Sequence, residues 1–488
     1  MKKVFNVFKE KWLRKVSLTI LLVILILIAF FGVNALFKKL DLTPIDFTSQ
    51  KIYSLSEESK TQIKKIEQNV EIFFFGYTEN DTTVILGKQY SKLNDKININ
   101  IISTKERPDL ATQYGVSSND KLVAISSSQR YKVIDATEMY TYDTTTYQTI
   151  DITEQKLTNA ILDVTVVSKP KVYFLTGHGE YGISSSGEMR LLSQYIVNEV
   201  NEVNSLDLLS SDMPEVCDLL IIANPKNDFT DVETEKIIEY INKGGKIIWL
   251  QDPYINIENY NAENYKNTNK ILGLYGISFS KGIVCESNSD YMISGYPDLI
   301  IPNLNYNSIV RDIYTDGKII IPDCGKIINV SDEEMENLNV TKDVFIETTD
   351  DAYYKENFDS LTGMKRSEND ESGKFVLGEV LNKKIDEANT STLIAISNAF
   401  FATNYQIQIA NTYSTPLELR NNKDLLLNSV DFLTKREDSI RIRKDTGVVN
   451  FNTATASQDR AVKVFIFTFP VVLIIAGIIV TIIRKRKK

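Results

Sequence analysis

The chain has 488 residues, enough for two or three domains of ordinary size. Its 55 lysines and arginines stand against 64 aspartates and glutamates, which gives a formal net charge of −9 at neutral pH. Many of the positive charges lie at the two termini, so the part between them is more acidic than the total suggests. This distribution argues against nucleic acid as a partner.

Two uncharged apolar segments, one near each end of the chain, are long enough to cross a bilayer. They cover residues 16–37 and 464–483, and about 20 apolar residues suffice to span the hydrocarbon core. Basic residues precede the first segment within residues 1–15 and form the whole of residues 484–488 after the second. By the positive-inside rule we expect both termini in the cytoplasm and residues 41–460 outside the cell membrane.

Residues 41–150 show the pattern of a small α/β domain outside the membrane. Ser54 or Ser56 is placed to cap a helix whose first turn is acidic, and the apolar run VEIFFFG predicts the strand after it. Residues 82–94 have a helical pattern, KININIIS alternates as a strand does, and RPDLATQYG predicts a short helix. The runs KLVAIS and RYKVID then predict two paired strands.

Residues 151–440 predict a larger, doubly wound α/β domain. The apolar runs KVYFLT, CDLLIIANP and GKIIWLQDP alternate with helical patterns at residues 187–201 and in TDVETEKIIEYINKGG. Such alternation is typical of a Rossmann-like parallel sheet with helices on both faces. The run STLIAISNAF predicts a further strand of this sheet after an irregular polar insertion at about residues 280–375. A closing helix in NNKDLLLNSVDFLTKRED, a last strand SIRIR and a polar tether at residues 441–463 complete the pattern.

The single histidine of the chain lies in the turn GHGE, residues 177–180, directly after the run KVYFLT. Ligands of open α/β sheets bind beyond the carboxyl ends of the strands. Four predicted strands end in polar residues, and these candidate binding residues are His178, Glu180, Asn224, Asp252 and Asn398. We expect them to lie near one another, with helices that begin near Gly187 and Thr230 directing N–H groups to the same edge and favouring an anionic group.

Three interpretations of the GHGE turn stay open: a purely structural turn, a contact with a ligand or partner, and catalysis. Glycine permits positive φ angles and close approach, which is sufficient for a structural role. A Ser-His-Asp or Cys-His triad would have to use His178, yet the chain has no G-x-S-x-G elbow, and Cys217 precedes its strand instead of following it. The sequence favours the structural interpretation and names no catalytic residue.

Other motif classes are also missing from the sequence. Cys217, Cys285 and Cys324 are an odd number without metal-binding or redox spacing, so we expect free thiols. One histidine cannot form a histidine-rich metal site, and neither a metal nor a cofactor is predicted. No G-x-x-x-x-G-K-[ST] motif occurs, so energy from ATP would have to come from a partner.

Four segments together resemble the successive signatures of one family; they are DFTSQKIYSLSEESKTQIKKI, YQTIDITEQKLTNAILDVTVVSKPKVYFLTGHGE, DLLIIANPKNDFTDVETEKIIEYINKGGKIIWLQDP and NKDLLLNSVDFLTKRED. Their order and the flanking apolar segments are similar to the GldG family, the gliding-motility-type auxiliary components of ABC transport systems. The resemblance implies a membrane-anchored subunit beside an ABC-2-type permease and its ATP-binding subunit. It also implies an external domain similar to class I glutamine amidotransferases but without their nucleophile.

Two other functions stay open at this point. One is an external hydrolase or amidotransferase-like enzyme that uses the cleft at the strand ends. The other is a cell-envelope scaffold that binds polysaccharide. The resemblance identifies no transported substrate and no catalytic residue.

Overall fold

The computed structural model describes residues 54–434, apart from residues 118–120, 128–129, 144–147, 167, 257–261, 294–295, 312, 315–317, 358–362 and 410–411, together with the isolated residues 23, 24 and 28. The described residues from Leu55 onward form one structural unit. Apart from those three isolated positions, the two predicted membrane spans lie outside the described residues, as do the predicted tether and the strand SIRIR. Among the described residues, no helix is both long enough and apolar enough to cross a membrane.

Helices and strands largely alternate over residues 57–126 and 153–279, and strands predominate in the other described residues up to 414. The α-helices are α1 (Glu57–Lys64), α2 (Thr82–Leu93), α3 (Pro108–Gln113), α4 (Thr153–Thr165), α5 (Arg190–Asn198), α6 (Asp231–Asn242), α7 (Lys266–Gly273), α8 (Asp332–Asn337) and α9 (Asn422–Leu433). The strands are β1 (Val70–Phe75), β2 (Ile97–Ile102), β3 (Leu122–Ser126), β4 (Tyr131–Asp135), β5 (Tyr140–Asp143), β6 (Gln148–Asp151), β7 (Lys171–Thr176), β8 (Glu202–Asp207), β9 (Leu219–Ala223), β10 (Lys246–Leu250), β11 (Ile277–Phe279), β12 (Ile283–Cys285), β13 (Met292–Ile293), β14 (Tyr296–Ile300), β15 (Asn303–Leu304), β16 (Ile321–Pro322), β17 (Ile327–Asn329), β18 (Val340–Glu347), β19 (Tyr353–Lys355), β20 (Glu371–Ser372), β21 (Val376–Lys384), β22 (Thr390–Ile396), β23 (Ile407–Ile409) and β24 (Thr412–Ser414).

The smaller sheet has the strand order β2-β1-β3-β4, and the predicted strand pair β3 and β4 is antiparallel. Helices α1, α2 and α4 pack on one face, and α3 lies on the other. Leu157, Ile161 and Val164 recur at helical spacing, so the apolar face of α4 is buried against this sheet. Helix α4 therefore packs with the smaller sheet, although the sequence pattern predicts that the larger domain begins at residue 151.

The start of α1 is fixed by a buried carboxylate of α4. Ser56, one of the two predicted caps, accepts a hydrogen bond from the backbone N–H of Ser59. Oε1 of Glu154 accepts from the N–H and the hydroxyl of Ser56, at 2.6 and 2.7 Å, and from the hydroxyl of Ser59 at 2.6 Å. These bonds satisfy donors at the helix N-terminus and join α1 to α4.

The larger sheet has eight strands in the order β15-β18-β21-β22-β10-β9-β7-β8. Strands β8, β7, β9, β10 and β22 are parallel, which confirms the predicted parallel arrangement and the predicted return of the chain in β22. The pairs β22–β21, β21–β18 and β18–β15 are each antiparallel, so the sheet is mixed. Only five residues separate β21 from β22, and a connection of this length permits a hairpin but not a parallel crossover.

Each face of the larger sheet is covered. Helices α5 and α9 pack on one face, against residues such as Phe174 and Ile396. Helices α6 and α7 pack on the other face, against Leu220 and Trp249. Successive residues of a strand point to opposite faces, so strands covered on both faces require the near-continuous apolar runs that the sequence shows.

The sequence pattern predicts an irregular polar insertion at about residues 280–375 and assigns it no topology. It contributes β15 and β18 to the larger sheet, and its apolar residues pack on the same face as α5 and α9. Those fully or almost fully buried include Val284, Ile300, Ile309, Val310, Ile319 and Ile321. These isolated apolar residues lie between polar ones, so they produce no periodic pattern in the sequence, yet they fill the core.

Candidate functional site

The five predicted site residues follow parallel strands of the larger sheet. His178 and Glu180 come after β7, and Asn224, Asp252 and Asn398 come after β9, β10 and β22. Strand β7 pairs with β8 on one side and with β9 on the other, so the order of strands reverses there, as it does at the ligand-binding crevice of open α/β sheets. The described contacts divide the residues into two groups, one centred on Asp252 and one on His178.

Asp252 is the centre of the first group and is 5% exposed. Its Oδ2 accepts hydrogen bonds from the hydroxyl of Tyr181 at 2.7 Å and from Nδ2 of Asn224 at 2.8 Å. Its Oδ1 accepts from the backbone N–H groups of Ala399 and Phe400 at 2.7 and 2.8 Å. Burial raises the pKa of Asp252, while the bonds from Tyr181, Ala399 and Phe400 oppose that rise.

Asn224 and Asn398 complete the first group. Asn224 has a φ of 58°, which asparagine tolerates better than most residues, and its Oδ1 accepts from Nε2 of Gln251 at 3.0 Å. Asn398 is 0% exposed; its Nδ2 donates to the carbonyl of Pro322 at 2.7 Å, and its Oδ1 accepts from the N–H of Phe401 at 2.7 Å. Because Pro322 belongs to the insertion, the insertion closes the end of β22.

His178 lies between two carboxylates in the second group. Its Nε2 is 3.1 Å from Oε2 of Glu233, and its Nδ1 is 3.5 Å from Oε1 of Glu180. The neighbouring carboxylate of Glu180 raises the pKa of His178 despite burial, and the charge of Glu233 adds to the rise. The ring also meets Phe229 edge-on, with 4.8 Å between the ring centres. Protonation of the ring would direct an N–H group toward each carboxylate, which is the physical reason for the raised pKa.

The backbone of the GHGE turn is as tightly fixed as its side chains. Gly177 and Gly179 have φ angles of 125° and 80°, which few other residues adopt. A Cβ atom on Gly179 would lie 3.2 Å from Cβ of Lys226. The carbonyl of His178 accepts from the N–H groups of Lys226 and Asn227 at 2.8 and 3.0 Å. The turn thus requires glycine both for its angles and for this close approach.

One of the two predicted helix starts is correct. Thr230 caps α6 in a capping box with Glu233. The carboxylate of Glu233, which also contacts His178, therefore lies at the helix N-terminus and supplies the negative charge favoured there. Helix α5 begins at Arg190, not near Gly187. Gly187 lies in a preceding turn where a Cβ atom would be 2.3 Å from the carbonyl oxygen of Gly182.

Neither group presents an open cleft. His178, Asn224, Asp252 and Asn398 are at most 5% exposed, and the side chain of Glu180 is 1% exposed. Gly177 and Gly179 are exposed, so the surface of this region offers the backbone of the turn. Among the described residues, no group of three or more His, Cys, Asp or Glu side chains is placed to hold a metal ion.

The thiols of the larger domain are not poised as nucleophiles. The three cysteines are free, with Cys285 and Cys324 buried. Burial raises the pKa of Cys217 to about 11 and that of Cys285 to about 12. The thiolate is the reactive form, so it is scarce at neutral pH at both positions.

Two acidic residues of the insertion, Asp298 and Asp323, lie near the group centred on Asp252. Burial raises the pKa of Asp323 to about 7, and the neighbouring carboxylate of Asp298 adds to the rise. The N–H of Asp323 donates to the carbonyl of Asp298 at 2.9 Å. The insertion therefore brings an acidic group with a raised pKa to the end of β22, where Asn398 donates to the carbonyl of Pro322.

The chain shows limited similarity to three individual known proteins. An uncharacterized methyltransferase of Bacillus cytotoxicus is 30% identical over 90 residues, which are 18% of this chain and 42% of that relative. The chain thus spans less than half the length of this curated relative.

The mmIFT52 N-terminal domain is 14% identical with a TM-score of 0.37, over 54% of this chain and 97% of that domain. A ThuA-like protein from Parabacteroides merdae is 10% identical with a TM-score of 0.31, over 55% of this chain and 91% of that protein. Neither structural likeness is strong enough to carry a conclusion.

The family comparison is more informative. Residues 169–294 match the family described as an ABC-type uncharacterized transport system. The matched range contains the four parallel strands β7 to β10, the GHGE turn, Asn224 and Asp252. Over these residues the chain is therefore similar to the auxiliary components of ABC-type transport systems.

Proposed function

We propose that this chain is a membrane-anchored auxiliary subunit of an ABC-type transport system, in which residues 41–460 handle substrate or partners outside the membrane beside an ABC-2-type permease. The family match over residues 169–294 carries the proposal. The apolar segments at residues 16–37 and 464–483, with their basic flanks, support an anchor at each end. The resemblance of the sequence to the GldG family supports the choice of permease class.

The strand-end geometry supports a contact role more than catalysis. Nε2 and Nδ1 of His178 lie 3.1 and 3.5 Å from the carboxylates of Glu233 and Glu180, so in the described part of the chain both ring nitrogens face acids and not a hydroxyl or thiol that the imidazole could activate. Hydrogen bonds from the N–H groups of Lys226 and Asn227 to the carbonyl of His178 fix the GHGE turn, while Gly177 and Gly179 are exposed. A rigid turn with accessible backbone groups suits recognition by a partner protein, since little conformational entropy is lost on binding.

Purification of the tagged full-length chain in a mild detergent tests the partnership. We expect it to recover a multi-span permease together with a P-loop ATPase, because the chain has no ATP-binding motif of its own. An unrelated two-span membrane protein with the same tag, prepared in parallel, is the control. If neither transporter subunit is enriched over that control, the auxiliary role in transport is contradicted.

Cysteine labelling in intact cells tests the proposed topology separately. The exposed residue Asn369 is changed to cysteine in a Cys217→Ser background, since Cys285 and Cys324 are buried. We expect a membrane-impermeant maleimide to label Asn369→Cys before lysis. The matched variant Lys487→Cys, in the basic tail, is expected to be labelled only after lysis. The reverse pattern would overturn the proposed orientation.

A further inference from the structure

One edge of the smaller sheet has no neighbouring strand. Strand β2 lies at that edge and pairs on one side only, in parallel with β1. No other strand among the described residues pairs with its outer side. The outward N–H and C=O groups of an edge strand are a template for a further strand. Strand β2 is therefore a place where a partner can extend the sheet.

The sequence of β2 lacks the features that usually protect a sheet edge. Natural edge strands carry charged residues or proline, or they are very short. Of the other edge strands in the two larger sheets, β8 (EVNSLD) and β4 (YKVID) contain charged residues, and β15 has only two residues. Strand β2 has six residues, ININII, with neither a charge nor a proline. Its side chains thus do least among these edges to prevent pairing.

The backbone hydrogen bonds between β1 and β2 determine which residues of β2 face outward. The N–H of Val70 donates to the carbonyl of Lys96 at 2.9 Å, and the parallel register aligns Val70 with Ile97. The backbone groups of alternate residues point to the same side of a strand in such a pair. Those of Ile97, Ile99 and Ile101 therefore point away from β1, toward the open edge.

The side chains of β2 divide between the two faces of the sheet. Ile99 and Ile101 lie on the face covered by α1, α2 and α4 but are only partly buried there. On the opposite face, Asn98 and Asn100 donate from Nδ2 to the two carboxylate oxygens of Glu71, at 2.8 and 2.7 Å. A further strand beside β2 would remove more of the two isoleucine side chains from water, which is favourable.

We infer that two copies of this chain associate by pairing their β2 strands in antiparallel orientation about a two-fold axis at Ile99. Each Ile99 then exchanges N–H and C=O hydrogen bonds with Ile99 of the second copy. The outward N–H of Ile101 donates to the carbonyl of Ile97 of the second copy. The N–H of Ile97 keeps its bond to the carbonyl of Asn94, at 3.1 Å.

A second copy fits this edge because the pairing is self-complementary, as a two-fold interface requires. It places Asn98 opposite Asn100 of the second copy, so neutral amides that both donate and accept face each other. No like charges oppose each other along β2. Full antiparallel pairing of two β8 strands would instead place Glu202 opposite Asp207, which is unfavourable. The pairing of β2 involves no transporter subunit, so its test is independent of the transport role.

Disulfide cross-linking of the full-length chain tests the pairing. Ile99→Cys is introduced in a Cys217→Ser background, since Cys285 and Cys324 are buried, and a detergent-free cell lysate is treated with copper phenanthroline. The Cα atoms of a hydrogen-bonded antiparallel pair lie about 5.5 Å apart, within the range of roughly 4.4–6.8 Å found in disulfides. We expect at least about fivefold more covalent dimer than from Asn204→Cys, a half-buried position on the edge strand β8.

A mixed experiment tests the register. Two differently tagged chains, one with Asn98→Cys and one with Asn100→Cys, should cross-link when expressed together, because directly opposite residues of a non-hydrogen-bonded pair have Cα atoms about 4.5 Å apart. Either chain expressed alone should cross-link much less. Two copies of the same residue would lie diagonally, about 7–8 Å apart, beyond the usual span of a disulfide. Equal cross-linking in all three samples would overturn the pairing about Ile99.

The remaining results would each overturn the second copy as the occupant of this edge. A cross-linked product of Ile99→Cys that contains a different protein would show that another partner covers β2. If Ile99→Cys forms no dimer and resists alkylation, another segment of the same chain covers the edge; if it forms no dimer and is alkylated readily, the edge is free. Should Ile99→Cys fail to fold, the Asn98→Cys and Asn100→Cys pair decides, because those side chains lie on the opposite face of the sheet.

Discussion

Replacing Asp252 with alanine is expected to destabilise the protein by about 3–5 kcal/mol. The carboxylate accepts four hydrogen bonds, from Tyr181, Asn224 and the N–H groups of Ala399 and Phe400. Its removal leaves four donors in a region that is almost closed to water, and each unsatisfied buried donor is costly. Urea unfolding of the full-length chain, followed by the fluorescence to which buried Trp249 contributes, measures the loss.

Two further variants distinguish the effect of losing the hydrogen bonds of Asp252 from a general effect of removing an aspartate. The Asp212 side chain is 92% exposed and pairs with Lys236 at 3.0 Å, so Asp212→Ala should cost less than about 1 kcal/mol. Asp252→Asn keeps the volume but replaces one acceptor with a donor, and we expect an intermediate loss. Equal, small effects of Asp252→Ala and Asp212→Ala would show that the network contributes little to stability.

The central strands of the larger sheet could be predicted because their apolar runs have the length of strands and alternate with helical patterns. The run of β9 is apolar throughout and those of β7, β10 and β22 are largely so, which is typical of strands in a sheet covered on both faces. The sequence pattern does not determine the order of the strands, in which β7 lies between β8 and β9. The convergence of Asn224, Asp252 and the segment after β22 is a consequence of that topology.

Other parts of the site depend on contacts that leave no periodic signal. The capping box of Thr230 and Glu233 was readable in the sequence TDVE, but the contact between Glu233 and His178 arises only when α6 packs beside β7. Tyr181 carries no local signal for its bond to Asp252. The closure of the β22 end by Pro322 depends on the insertion, whose short strands pair with one another across long stretches of sequence.

Replacing His178 with alanine is expected to cost about 2–4 kcal/mol at pH 6, because the carboxylates of Glu180 and Glu233 lose the cation that lies between them. The effect should shrink at higher pH. The pKa of His178 is raised in the folded state above its ordinary value of 6.5, so its contribution is fully present below pH 6.5 and is lost as the pH rises through the folded-state pKa. The free energies of unfolding of the wild type and the variant are compared across this pH range. Their difference separates the contribution of His178 from those of other groups that titrate there, including Asp323.

The raised pKa can also be measured directly, since His178 is the one histidine of the chain. In a protein labelled at histidine, its imidazole should give a single set of NMR signals that titrates above pH 6.5. Glu180→Gln removes the largest cause of the rise, so we expect the titration to move to lower pH and the loss of stability to begin earlier. Glu188→Gln is the control, because Oε2 of Glu188 bonds the N–H of Gly182 and not the imidazole. A wild-type titration at or below pH 6.5 would mean that the two glutamates do not hold an imidazolium, and the GHGE turn would then depend on its glycines and backbone hydrogen bonds alone.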